Sequence, residues 1–131
     1  MKEIVVKSSN KVGALAEVAE LLGSYGVNIE AISAYGIGDN AVFRIVTSDP
    51  KTAIKHLGKI PGLMCAEADI ILLDIHNRPG ELGKIARKLA NKGVDLEALY
   101  LINKSADAFH VAIRPSKEHF EKTKDALGIK K

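Results

Sequence analysis

The sequence predicts an α+β fold of two ferredoxin-like βαββαβ modules that form a pseudo-dimer, the second without a full fourth strand. Three observations predict it: an internal repeat, an alternation of strand-like and helix-like periodicity within each copy, and a tail too short to complete the second copy. Asn10 aligns with Asn77, Gly13 with Gly80 and Gly26 with Gly93, at a constant offset of 67 residues. Between residues 10–34 and 77–101, nine of 25 positions are identical, where unrelated segments would share roughly one or two. The identities are Asn10, Gly13, Leu15, Ala19, Leu22, Gly26, Val27, Glu30 and Ala31. The period exceeds that of most solenoid repeats and there are only two copies, so duplicated small domains explain it better than a repeat array. The expected boundaries are 1–68 and 69–131.

In the first copy, Ile4-Val5-Val6 is a β-rich run. Leu15, Val18, Ala19 and Leu22 then recur at three- and four-residue spacing, the mark of an amphipathic helix that Gly23 and Gly26 end. Val27 to Tyr35 reads as a strand, Gly36 to Asn40 as a hairpin turn and Val42 to Thr47 as the returning strand. Asp49 is placed to cap a second helix, Pro50 suits its first position, and Ala53, Ile54 and Leu57 form its apolar side. Leu63 to Ala68 supplies a fourth strand.

The second copy repeats this order. Ile70 to Ile75 is a strand, and Leu82, Ile85, Ala86 and Leu89 mark a helix. Strands follow near Leu96 to Ile102 and Ala108 to Ile113, then a helix from Ser116 towards Leu127. After Gly128 only Ile129, Lys130 and Lys131 remain, too few for an ordinary strand. A four-stranded antiparallel sheet and two amphipathic helices each have one apolar side to bury, so they stack as an α+β sandwich. A copy of roughly 65 residues has a small core, a physical reason for two copies to pack together.

Composition sets the class. Of 131 residues, 47% are apolar and 27% charged, as in an ordinary globular protein. A net charge of +3, with Lys and Arg interleaved among Asp and Glu, gives no basic run for nucleic acid. The single Cys65 cannot form an internal disulfide, and no apolar stretch approaches the ~20 residues that span a bilayer. A cytoplasmic protein that does not enter a membrane is expected.

The second copy reads Asp74-Ile-His-Asn-Arg-Pro-Gly-Glu-Leu82, with Gly93-Val-Asp-Leu-Glu97 after one helix; the first matches through Asn10-Lys-Val-Gly-Ala-Leu15 and Gly26-Val-Asn-Ile29. This pattern resembles the ACT domain family, as in the regulatory domain of phosphoglycerate dehydrogenase. The first copy departs at Val12, where the family usually has proline, and the second at Asp95, where it often has asparagine. The resemblance covers nearly the whole chain and implies a stand-alone tandem ACT protein. It further implies that the second strands of the two copies meet, and that each ligand lies between the loop of one copy and the Gly-Val-Asn-Ile segment of the other. Two unequal sites follow. One combines Asn10, Val12, Gly13 and Leu15 with Asp95; the other combines Asn77, Arg78, Pro79, Gly80, Glu81 and Leu82 with Asn28. The second, which departs less from the pattern, is expected to be the stronger.

Elementary chemistry supports a site at these loops. Glycine lets a backbone approach a ligand closely, and the start of a helix presents unpaired N–H groups to a carboxylate. The amides of Asn10, Asn28 and Asn77 both donate and accept, as a zwitterion requires, whereas ionised Asp95 only accepts. A plainer reading stands beside this one. Gly13 and Gly80 could let helix and strand pack closely, and Asn10 and Asn77 could be caps or turn residues. Gly26 and Gly93 read as glycines at helix C-termini, and Glu30 and Glu97 as solvated strand residues.

No nucleophile with a base, paired carboxylates or metal-ligand spacing is evident: His56, His76, His110 and His119 are scattered, and Cys65 lies in a strand-like run. No catalytic residue, metal or cofactor is expected. Gly36-x-Gly38 lacks the strand-to-helix setting of a dinucleotide motif. The RNA-recognition motif shares the βαββαβ order, but its sheet needs stacking aromatics, and here aromatics are 5% of residues with no Trp. The function expected is regulatory binding of a small molecule, an amino acid above all, acting on a separate enzyme or transcriptional partner. The alternative is a ligand-free interaction module. An open edge at the first strand of the second copy further predicts a homo-oligomer.

Overall fold

A computed structural model describes residues 2–129, and the chain divides into two compact units, Met1–Asp69 and Ile70–Lys131. In the first unit, period-two alternation places Ile4 and Val6 of β1 (Lys2–Ser9) on one face of the sheet, both fully buried. They meet Val18 and Leu22 of α1 (Ala14–Ser24), Phe43 and Ile45 of β3 (Asn40–Thr47), and Ala53 and Leu57 of α2 (Pro50–Leu57). With β2 (Ala31–Ile37) and β4 (Met64–Asp69) the antiparallel sheet has the order β2-β3-β1-β4. The ferredoxin-like expectation therefore holds. Asp49 caps α2 as expected, its Oδ1 accepting from the Thr52 N–H at 3.2 Å.

Two boundaries differ from expectation, each for a local reason. β2 starts at Ala31 rather than Val27, because the Val27 N–H is taken by the Leu22 carbonyl at 2.9 Å and closes the end of α1. Gly26, at φ 70°, makes the left-handed step that brings this N–H back, so its reading as a helix C-terminal glycine holds. The hairpin turn is only Gly38-Asp39; Gly36 and Ile37 are still in β2, paired with Ala41 and Asn40.

The second unit comprises β5 (Ile71–His76), α3 (Glu81–Asn91), β6 (Leu96–Lys104), β7 (Ala108–Pro115) and α4 (Phe120–Leu127). Among the described residues its sheet has three strands in the order β5-β7-β6, with β5 outermost on one side. Ile71, Ile75, Val111 and Ile113 form its buried centre, with Ile85, Phe109 and Leu127 against it. The last helix starts later than expected: Ser116 is extended, its N–H held by the Asp95 carbonyl at 2.9 Å, and a 3-10 turn at Lys117–His119 precedes α4. Lys130 and Lys131 lie outside the described residues. No helix among the described residues is long and apolar enough to cross a membrane.

Candidate functional site

Both modules build the loop between first strand and first helix in the same way. The Asn10 N–H donates to the Asp39 carbonyl at 2.8 Å, and the Asn77 N–H to that of Asp107 at 2.9 Å, so each loop is tied to the hairpin beside it. Each then makes a tight turn, Lys11 N–H to Ser9 carbonyl and Arg78 N–H to His76 carbonyl. Gly13 and Gly80, at φ 90° and 85°, stand at the helix starts in the left-handed region. A Cβ at either would meet nothing within 4 Å, so neither is there to let helix and strand pack closely. Backbone conformation demands them.

Neither asparagine is a helix cap. No side chain caps α1 or α3. Asn77 Nδ2 instead donates to the Ser105 carbonyl at 2.9 Å, and the Asn10 amide lies against the backbone of Gly36. The start of α1 thus presents its first N–H groups with no side chain upon them.

Beside that start lies an open concavity of ≈ 500 Å³ within the first module, between α1 and the β2–β3 hairpin. Its polar end is Asn10 and Lys11; its apolar wall is Leu15, Ala19, Ala34 and Phe43. Lys11 is exposed and makes no ion pair among the described residues. Glu17, the acidic residue in the first turn of α1, lines a different groove with Ile60 and Gly62. Tyr35 contributes to the rim, while its hydroxyl accepts from Arg44 Nε at 3.2 Å. Val12, where the family motif usually has proline, is fully exposed.

The second module fills the equivalent places. Ala41 stands opposite Ser8, whereas Phe109 stands opposite Ile75, the residue that repeats Ser8. Ala34 pairs with Phe43, whereas Leu101 pairs with Val111 at the matching position. Glu81 replaces Ala14 at the first helical position, and its carboxylate takes Arg78 at 2.9 Å and Lys84 at 3.3 Å. Desolvation would raise the Glu81 carboxyl, but the hydrogen bonds and charges of Lys84 and Arg78 outweigh it and hold the group below its ordinary range. Pro79 and Leu82 complete this loop, Leu82 being half exposed.

The remaining candidates are engaged locally. Asn28 Nδ2 donates to Glu30 Oε2 at 2.6 Å in the connection before β2, and the Asp95 N–H donates to His119 Nδ1 at 2.9 Å. Glu97 lies 3.8 Å from Arg114. His76 is exposed at the end of β5, and burial pushes the half-buried Cys65 thiol up, away from reactivity. No group of His, Cys, Asp and Glu that could hold a metal occurs among the described residues. The alanines of the concavity were not singled out as site residues from the sequence, and Gly36 was read only as part of a hairpin turn; the signal available was small residues in one copy at strand positions where the other copy has large ones.

Residues 2–60 match the family model for the ACT domain. The match lies within the first module. The second repeats the order of elements of the first from β5 to α4, so the described residues carry the same ferredoxin-like arrangement twice, with three strands in the second sheet. Protein BT0572 from Bacteroides thetaiotaomicron is similar over 97% of this chain and 85% of its own, with 29% identity and a TM-score of 0.83. The ligand-free regulatory subunit of aspartate kinase from Thermus thermophilus shares the fold over 97% of this chain and 90% of its own, at 18% identity and a TM-score of 0.69. The regulatory subunit of aspartate kinase from Thermus flavus does so at 18% identity and a TM-score of 0.64, over 97% of this chain and 90% of its own. No curated protein matches the chain.

Proposed function

We propose that the chain is a regulatory, non-catalytic protein of the cytoplasm that binds an amino acid and alters a separate enzyme or transcriptional partner when occupied. One observation carries this reading: the first module has an uncapped helix start and a free lysine at the mouth of a concavity of ≈ 500 Å³, within the ~300–1,000 Å³ range of small-molecule sites. The N–H groups of α1 and Lys11 attract a carboxylate, and Asn10 offers both a donor and an acceptor to an ammonium–carboxylate pair. The regulatory aspartate kinase proteins that share the fold supply an analogy for action on an enzyme.

The first loop, with Asn10, Gly13 and Leu15, is the binding loop in this reading. The motif favoured residues 77–82; this reading prefers the first loop, because Phe109 and Leu101 stand in the second module where Ala41 and Ala34 leave room in the first. A thermal-shift screen of the twenty amino acids tests the proposal. A ligand at 100 times its Kd stabilises by ~2.7 kcal/mol, enough to move the melting temperature by several degrees. A flat screen at millimolar concentration rejects it in favour of an interaction module. We also propose a homo-oligomer, on the ground that, among the described residues, β5 is outermost in its sheet with Leu72 exposed. Light scattering that gives a monomer mass at high concentration refutes that part alone.

A further inference from the structure

We infer that the ligand of the first module is an amino acid with an uncharged, apolar side chain, bound once per chain. The inference rests on the amino-acid reading above and narrows it. In the concavity, polar and apolar groups are segregated. Asn10, Lys11 and the start of α1 supply its polar lining; away from them it is lined by Ala16, Ala19, Ala34 and Phe43. Tyr35 follows Ala34 along β2, so its side chain points to the opposite face of the sheet, where its hydroxyl meets Arg44, and Glu17 lines another groove; neither offers a partner to a polar side chain on this wall. A charged or amide side chain placed on this wall would lose water without gaining a hydrogen bond, whereas an aliphatic or aromatic one gains from leaving water.

The stoichiometry follows from the contrast between copies. Phe109 and Leu101 occupy in the second module the places of Ala41 and Ala34, and Arg78, the counterpart of Lys11, is already paired with Glu81 at 2.9 Å. The same fold therefore has one loop with room and a free cation, and one whose room is filled and whose cation is paired.

Calorimetry on the full chain with L-leucine, L-phenylalanine, L-aspartate, L-lysine and leucinamide tests the inference. Leucine or phenylalanine is expected to bind once per chain, at least tenfold tighter than aspartate or lysine, and leucinamide at least tenfold weaker than leucine for want of a carboxylate. Ala34→Leu, which copies the second module at an exposed position, should weaken binding at least tenfold without lowering the melting temperature, and Lys11→Glu should weaken it too. Tighter binding of aspartate or lysine that Ala34→Leu abolishes overturns the apolar class and leaves the amino-acid reading standing. Leucine or phenylalanine binding that neither substitution changes overturns the location. Two equivalents per chain overturn the asymmetry, and silence from all twenty amino acids overturns the inference and the reading together.

Discussion

Asn10 and Gly36 fit against each other so closely that a Cβ on residue 36 would stand 2.8 Å from Asn10 Nδ2. The loop that starts α1 is thus held to β2 through the one strand position that has no side chain. Gly36→Ala is expected to push the Asn10 amide aside. The obstacle is the end of a flexible side chain, so stability should change by less than about 1 kcal/mol. Affinity for the ligand should fall about tenfold, a loss of about 1.4 kcal/mol. Asn10→Ala in the Gly36→Ala background should then cost little more, and calorimetry on the two single variants and the double variant measures that non-additivity.

Glu3 is fully buried on β1 and accepts from Arg44 Nη1 at 2.9 Å, across the pair of strands β1 and β3. Removing one partner strands the other charge away from water. Arg44→Met alone should therefore destabilise by about 3–5 kcal/mol. Joint replacement by Glu3→Leu and Arg44→Met should cost far less than the two separate losses together. Urea unfolding of the four proteins gives the coupling; simple additivity would show that the pair is not energetically linked.

The ring of His56 in α2 stacks on Tyr25 at 3.4 Å between centroids, and its Nδ1 is buried without a hydrogen-bond partner among the described residues. Burial, then the charges of Lys59 and Lys55, lower its pKa below the ordinary 6.5. The folded protein therefore resists a proton that the unfolded chain accepts. Stability should fall as pH drops below 6.5, until the folded form also protonates. His56→Gln should remove that part of the decline, measured as melting temperature against pH; an identical profile in the variant would assign the acid sensitivity elsewhere.

Asp49 offers a simpler test. Its carboxylate accepts from the Thr52 N–H at the start of α2, and Asp49→Ala should cost about 1 kcal/mol by chemical denaturation. Asp49→Ser, which can still cap, should recover most of the loss.

The helices and the duplication were legible because their information is carried by what is present: Leu15, Val18 and Leu22 repeat with the helix period, and Asn10 and Gly13 return as Asn77 and Gly80. The start of β2 was not. Val27 and Ile29 look like strand residues, yet the Val27 N–H closes the end of α1, a local use of a backbone hydrogen bond that apolar periodicity does not express. The loops were legible as candidates from their asparagines and glycines. The concavity was not, since Ala34 and Ala41 act through volume they do not fill, and a missing side chain has meaning only once its neighbours are placed. For the same reason the motif in the second copy reads as the fuller match, while Phe109 and Glu81 alter what that loop can accept.

The second module fills with its own hydrocarbon, from Phe109 and Leu101, the places that Ala41 and Ala34 leave open in the first, and pairs its loop cation, Arg78, with its own Glu81. If the first module binds as proposed, the two copies are the open and the filled form of one scaffold. Emptying the second should then be easier than building a site anew: Leu101→Ala and Phe109→Ala, with Glu81→Ala to release Arg78, are expected to turn a single-step titration into a two-step one.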